Sequence, residues 1–156
     1  MTSKVLVSLR VAATPERAFE AFTREIGLWW RHDELFAFSH RRSGTLHFEP
    51  GLGGRLLEVY GDGDVFEIGR ITIWEPGRRL CLTWRQASFA PGQMTRLEVR
   101  FEPVDAGTRV TIEHSGWDTI PQAHAARHNF PLGPFQQRQA EHWQRLLASL
   151  AHVAIR

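Results

Sequence analysis

The residues able to do chemistry in this 156-residue chain are few, and most of them stand alone. His114 closes the run Val110, Ile112, His114, a period-two register that points its imidazole to the same side as the two aliphatic residues. A histidine in an apolar wall can hydrogen-bond a ligand or act as a general acid or base near neutral pH, so His114 is the candidate catalytic residue. The ordinary alternative is a histidine satisfied by internal partners. Ser115 follows it directly, but neighbours on a strand face opposite ways, which rules against a Ser-His dyad. Cys81 alternates with Leu80 and Leu82, so it turns away from the inner wall and has no base in view to activate it.

His124 and His128 stand at i and i+4, a spacing that on a helix would put two imidazoles on one face and could begin a zinc site. The glutamate of an HExxH pattern is missing and no third ligand is in view, so no metal is expected. His32, His40, His47, His142 and His152 show no ligand spacing either. Gly51, Gly53 and Gly54 suggest a phosphate loop only superficially, because no Lys-Ser/Thr pair follows and the next element reads as a strand; no nucleotide or other cofactor is implied. Glu58, Glu67 and Glu113 lie within strands. They are expected on a solvated outer face beside Arg55, Arg70 or Arg109, and would enter a cavity only if the registers slipped by one residue.

The larger resource is aromatic, with six Trp and ten Phe. Such rings either complete a core or surround a flat apolar ligand. Where they fall depends on the elements that carry them. Val5, Val7, Leu9 and Val11 alternate with polar residues as a half-buried strand does. Thr14-Pro15-Glu16 supplies an N-cap hydroxyl, a proline for the first helical position and an early acid, and predicts a helix from Pro15 to about Thr23. A second short helix is expected between Glu25 and His32.

From Gly44 onward, short β-rich runs are separated by Gly- and Pro-containing turns. The predicted strands are Gly44 to Glu49, Gly54 to Tyr60, Val65 to Trp74, Arg79 to Gln86, Thr95 to Glu102 and Thr108 to His114. Leu97, Val99 and Phe101 oppose Arg96, Glu98 and Arg100, giving one dry face and one wet face. The cover for the dry face comes last. After Gly133-Pro134, Phe135, Trp143, Leu146, Leu147, Leu150 and Val153 mark an amphipathic helix of about five turns. The stretch from Trp117 to Leu132, with a possible short helix around Gln122 to His128, is either a lid or a connection.

These elements imply an α+β chain of order β-α-α-β6-α in which a curved antiparallel sheet of about seven strands wraps a long C-terminal helix. At 156 residues it suits one domain spanning 1–156. One cysteine excludes an internal disulfide and fits a reducing compartment. The N-terminal MTSKVLVSLRV lacks a signal-peptide core, and no run is long enough to span a bilayer, so the expected location is cytoplasmic. The pI is near 9.3, yet the formal net charge is only +2 and basic residues are interleaved with acids, which argues against a nucleic-acid surface.

Several motifs in sequence carry a resemblance. Ala13-Thr14-Pro15-Glu16-Arg17-Ala18-Phe19, Trp29-Trp30, Gly53-Gly54-Arg55, Glu67-Ile68-Gly69-Arg70-Ile71, Glu75-Pro76-Gly77-Arg78-Arg79-Leu80, Leu82-Thr83-Trp84 and Gly107 to Trp117 resemble the SRPBCC or START-like helix-grip superfamily, in the branch named for the activator of heat-shock-protein-90 ATPase. The resemblance covers nearly the whole chain. It implies a helix-grip fold with a ligand cavity between sheet and C-terminal helix.

On that basis the expected cavity wall is Trp30, Phe36, Phe48, Trp84, Leu97, Val99, His114, Trp117, Phe135, Trp143 and Leu147. The leading functional reading is binding of a small hydrophobic or aromatic ligand. The alternatives are a partner module that stimulates a chaperone ATPase, as the branch name suggests, and a cyclase- or hydrolase-like enzyme using His114. A homodimer through an exposed sheet face is a further possible partner arrangement.

Overall fold

Residues 4–39 and 41–156 are described by the structure, a computed structural model; Met1 to Ser3 of the N-terminal segment, and His40, lie outside them. The elements run β1 (Lys4–Val11), α1 (Pro15–Thr23), α2 (Ile26–Trp29), β2 (Thr45–Phe48), β3 (Arg55–Val59), β4 (Val65–Glu75), β5 (Arg79–Trp84), β6 (Thr95–Val104), β7 (Gly107–Ser115) and α3 (Leu132–Ala154). The strands form one antiparallel sheet in the order β1-β7-β6-β5-β4-β3-β2, curled as a half-barrel around α3. This is the helix-grip arrangement expected from the sequence.

Local chemistry explains the ends of these elements. Thr14 Oγ1 accepts the Arg17 amide at 3.1 Å and Pro15 takes the first helical position of α1. Arg17 then reaches across the fold, donating to the Ala154 and Val153 carbonyls at 3.1 and 3.2 Å while pairing with Glu20 and Glu25. A guanidinium thus caps the C-terminal carbonyls of α3, which have no partner within the helix. β4 bends where the register shifts between Leu56 and Leu57 on β3, opposite Gly69. A Cβ at Gly69 would lie 1.7 Å from the Thr83 carbonyl oxygen, so only glycine lets β5 approach there.

Predicted bounds differ from these by a residue or two at most strands, as fraying ends do. Two helical expectations are corrected. Helix α3 begins at Leu132 and runs 23 residues, so Gly133 and Pro134 lie in its first turn, where amide donors have no intrahelical acceptor to lose. The short helix expected around Gln122 to His128 is only a 3-10 turn at Ala125–Arg127; further 3-10 turns fall at Glu34–Phe36 and Trp117–Thr119.

The stretch after β7 is a packed cap. Gly116, at a φ of 103°, turns the chain so that Trp117 enters the interior. Arg127, itself buried, donates to the Ile120 and Phe130 carbonyls at 2.8 and 2.7 Å and lies over the Phe135 ring. Phe36, Phe89, Trp117, Ile120, Ala126 and Phe135 form a second apolar cluster beside the main core.

Candidate functional site

The N-terminal half of α3 lies beside a buried histidine that contacts three tryptophan rings, behind which two further aromatic rings pack. His114 is 0% exposed at the inward end of β7, as its register predicts. Trp84, Trp117 and Trp143 have ring centroids 5.6, 5.6 and 6.3 Å from its own. Trp30 packs on Trp84 and Trp143 at 5.9 and 5.7 Å, and Phe135 meets Trp117 at 4.7 Å.

Hydrogen bonds fix the state of this histidine. The Trp143 indole N–H can only donate, and it points at His114 Nδ1 at 3.3 Å; Gln139 Nε2 approaches the same atom at 3.4 Å. Nδ1 is therefore the acceptor and the proton sits on Nε2, which donates to Thr95 Oγ1 at 2.8 Å. Thr95 passes its own hydroxyl proton to the Trp84 carbonyl at 3.2 Å. Burial, reinforced by the nearby His142, lowers the His114 pKa to about 3, so the ring is neutral at physiological pH. With both nitrogens engaged inside the protein, His114 organises the cluster.

Two buried groups in the same cluster have no partner among the described residues: the Trp117 indole N–H and the Gln139 carbonyl oxygen. One is a donor and the other an acceptor. Buried polar groups left open in this way are uncommon and call for a reason. Gln139 was missed by the sequence reading, although a signal was present. It sits four residues from both Phe135 and Trp143, a polar residue on the apolar stripe of α3. His142 fills the next gap in that stripe, stacked on Phe36 at 5.1 Å and edge-on to Trp30 at 5.8 Å. Burial outweighs Asp33, 3.9 Å away, and lowers the His142 pKa to about 4.

The expected wall residues divide. Trp30, Trp84, His114, Trp117, Phe135 and Trp143 meet as described, and Phe36 joins them through Phe135 at 5.5 Å. Leu97 pairs directly with His114 across β6 and β7, while Phe48 packs against Phe22, and Val99 and Leu147 lie in the main core. The rings around His114 touch one another at centroid separations of 4.7 to 6.3 Å. A cleft of about 150 Å³ opens on the outer side of Trp30, bordered by Phe36, Phe38, Asp33, Glu58 and His142.

Glu58 corrects an expectation. Leu56, Glu58 and Tyr60 turn inward, Glu58 is 3% exposed, and the Tyr60 hydroxyl donates to it at 2.6 Å. The alternation of β3 is intact: Glu58 shares the inward face with Leu56 and Tyr60, and the extra residue of the nearby bulge, Ile68, belongs to β4. Glu67 and Glu113 do lie outward, paired with Arg70 and Lys4. Cys81 is also outward, near Glu98, and burial raises its thiol pKa. His124 accepts the Ala126 amide on Nδ1, and His128, at a φ of 48°, reaches the Leu35 carbonyl, so the two do not share a helix face. Among the described residues no group of three or more His, Cys, Asp or Glu side chains is arranged to hold a metal, and no helix is long and apolar enough to cross a membrane.

Residues 12–154 match the family described as Activator of Hsp90 ATPase homolog 1-like protein. The chain belongs to that family. No curated protein matches it. Among solved structures, a Mesorhizobium loti protein superposes with a TM-score of 0.64 at 21% identity, covering 96% of this chain and 95% of its own. The Aha1 dimer of Colwellia psychrerythraea gives 0.63 at 18% identity, with 96% and 93% covered. An Hsp90 activator from Plasmodium falciparum gives 0.64 at 18%, with 96% and 94% covered. At these identities the superpositions establish the fold that this Activator of Hsp90 ATPase homolog 1-like chain shares with them.

Proposed function

We propose that the protein binds a small hydrophobic or aromatic molecule carrying one hydrogen-bonding group, at the aromatic end of α3 where Trp84, Trp117 and Trp143 surround His114 and Trp30 and Phe135 back them. The observation that carries this reading is the open donor on Trp117 and the open acceptor on Gln139, both buried beside a fully satisfied histidine. A hydroxyl or amide on an aromatic ligand would satisfy both at once. The rings would supply apolar contact, worth about 25 cal/mol per Å² of ligand surface removed from water. Trp30 is the half-buried ring of this set and borders the cleft, so its displacement is the shortest way in.

Native mass spectrometry and thermal shift with a panel of neutral phenols, indoles and aromatic amides test the reading. Saturable stabilisation is expected, rising with the logarithm of ligand concentration once the site fills. Trp117→Phe, which removes the open donor together with part of the buried ring, should weaken binding at least fivefold in a variant whose fold is checked by circular dichroism. No stabilising compound across the panel, or unchanged binding by both Trp117→Phe and Gln139→Leu, would overturn it.

A further inference from the structure

The cleft on the outer side of Trp30 has a chemistry that the aromatic interior lacks. Its wall contains a carboxylate turned inward from β3: Glu58 is 3% exposed, and its hydrogen bond among the described residues comes from Tyr60 at 2.6 Å. That phenol supplies a dipole to one oxygen and leaves the charge unbalanced. Among the described residues, the neighbouring guanidinium groups are engaged elsewhere. Arg42 covers the Tyr60 ring at 3.9 Å but pairs with Asp62 and Asp64, at 3.0 and 3.3 Å. Arg145 pairs with Asp33 at 3.3 Å on the opposite rim. His142, also in the wall, is held neutral at physiological pH by burial.

A carboxylate withdrawn from water without a cation is unfavourable and is met in folded proteins by a counter-charge. The rest of the cleft matches such a counter-charge attached to a short hydrocarbon. Trp30 and Phe38, their centroids 5.8 Å apart, present aromatic surface to the same space as Glu58. Ring faces attract an ammonium group and carbon chains alike. The volume, about 150 Å³, admits a few carbon atoms.

We infer that this cleft is a binding site for a small alkylammonium ion, whose N–H donors meet Glu58 and whose alkyl part lies against Trp30 and Phe38. Charge-assisted hydrogen bonding sets the selectivity: an alcohol of the same shape offers one neutral donor and leaves the carboxylate charge unbalanced. The site borders the aromatic interior at Trp30 and Phe36 but does not depend on a ligand binding there, since Glu58 has no contact with His114, Gln139 or Trp117 in the hydrogen-bond network.

Isobutylammonium chloride and isobutanol are the paired probes, titrated into the unmodified protein at constant ionic strength with Trp fluorescence and calorimetry as readouts. The ammonium should bind saturably and at least tenfold tighter than the alcohol. Glu58→Gln keeps an acceptor for the Tyr60 hydroxyl and should fold, checked by circular dichroism, while weakening the ammonium at least tenfold. Equal binding of the two probes, no saturable binding of the ammonium, or a Glu58→Gln protein that binds it as tightly as the unmodified one would each overturn the inference. Should Glu58→Gln not fold, the comparison of ammonium with alcohol on the unmodified protein decides alone. Neutral aromatic compounds test the interior reading without Glu58, so either site can fail while the other stands.

Discussion

The two ends of α3 are built on opposite principles. From Leu146 to Ala154 the buried residues are Leu146, Leu147, Leu150, Val153 and Ala154, all apolar, and all belong to the main core with β1 and α1. From Phe135 to Trp143 the buried residues are Phe135, Gln139, His142 and Trp143, facing a second histidine on β7. An apolar end needs only close packing and can be mutated for stability alone. An end with buried polar groups gives up stability to hold them, which is a common mark of a recognition site. Arg17 strengthens the contrast by tying the apolar end to α1 through the helix's last carbonyls.

Acid should separate the two ends most strongly. The folded-state pKa of His114 is lowered to about 3 and that of His142 to about 4, against 6.5 for a free side chain. Below pH 6.5 the unfolded chain takes up protons that the folded chain refuses. The stability is therefore fully present above pH 6.5 and is lost as pH falls toward those folded values, on the order of 1.4 kcal/mol per pH unit for each proton. Hydrogen exchange at pH 5 should show residues 135–143 opening before 146–154. A melting temperature unchanged from pH 7 to pH 5 would remove the distinction.

The next effect belongs to the apolar end. Leu147→Ala deletes a fully buried side chain and should cost about 2–5 kcal/mol in urea unfolding, with little change in pH dependence. Thr95→Val comes third. It leaves the His114 Nε2 proton without its acceptor, for a loss of about 1–3 kcal/mol by the same measurement. The smallest stability change is expected for Gln139→Leu, within about 1 kcal/mol in either direction, because an open acceptor and a long hydrogen bond disappear together. That variant should bind neutral aromatic ligands at least fivefold more weakly. A large loss of stability instead would make Gln139 a structural residue and erase the contrast.

Much of the architecture was legible in the residues. Thr14-Pro15 placed the start of α1, and the alternation through β6 and β7 placed His114 inward. The site was legible only in its aromatic members. Gln139 and His142 carried a signal as polar interruptions of the α3 stripe, whereas Asp33 and Phe38 come from turns with no periodicity to read. Glu58 was misplaced because a charged residue in a strand reads as outward, whereas the period-two register carries it inward with Leu56 and Tyr60.

The sequence by itself determined the order of elements, the inward register of β7 and the family, because hydrophobic period, caps and turn residues are local properties. Only the tertiary structure decided the tautomer of His114, the exclusion of charge from its ring, the contacts that bring Trp30, just past α2, against Trp84 and Trp143, and the inward turn of Glu58. Those depend on distances between residues far apart in the chain. A local pattern can set which face a side chain occupies, but not what stands across from it.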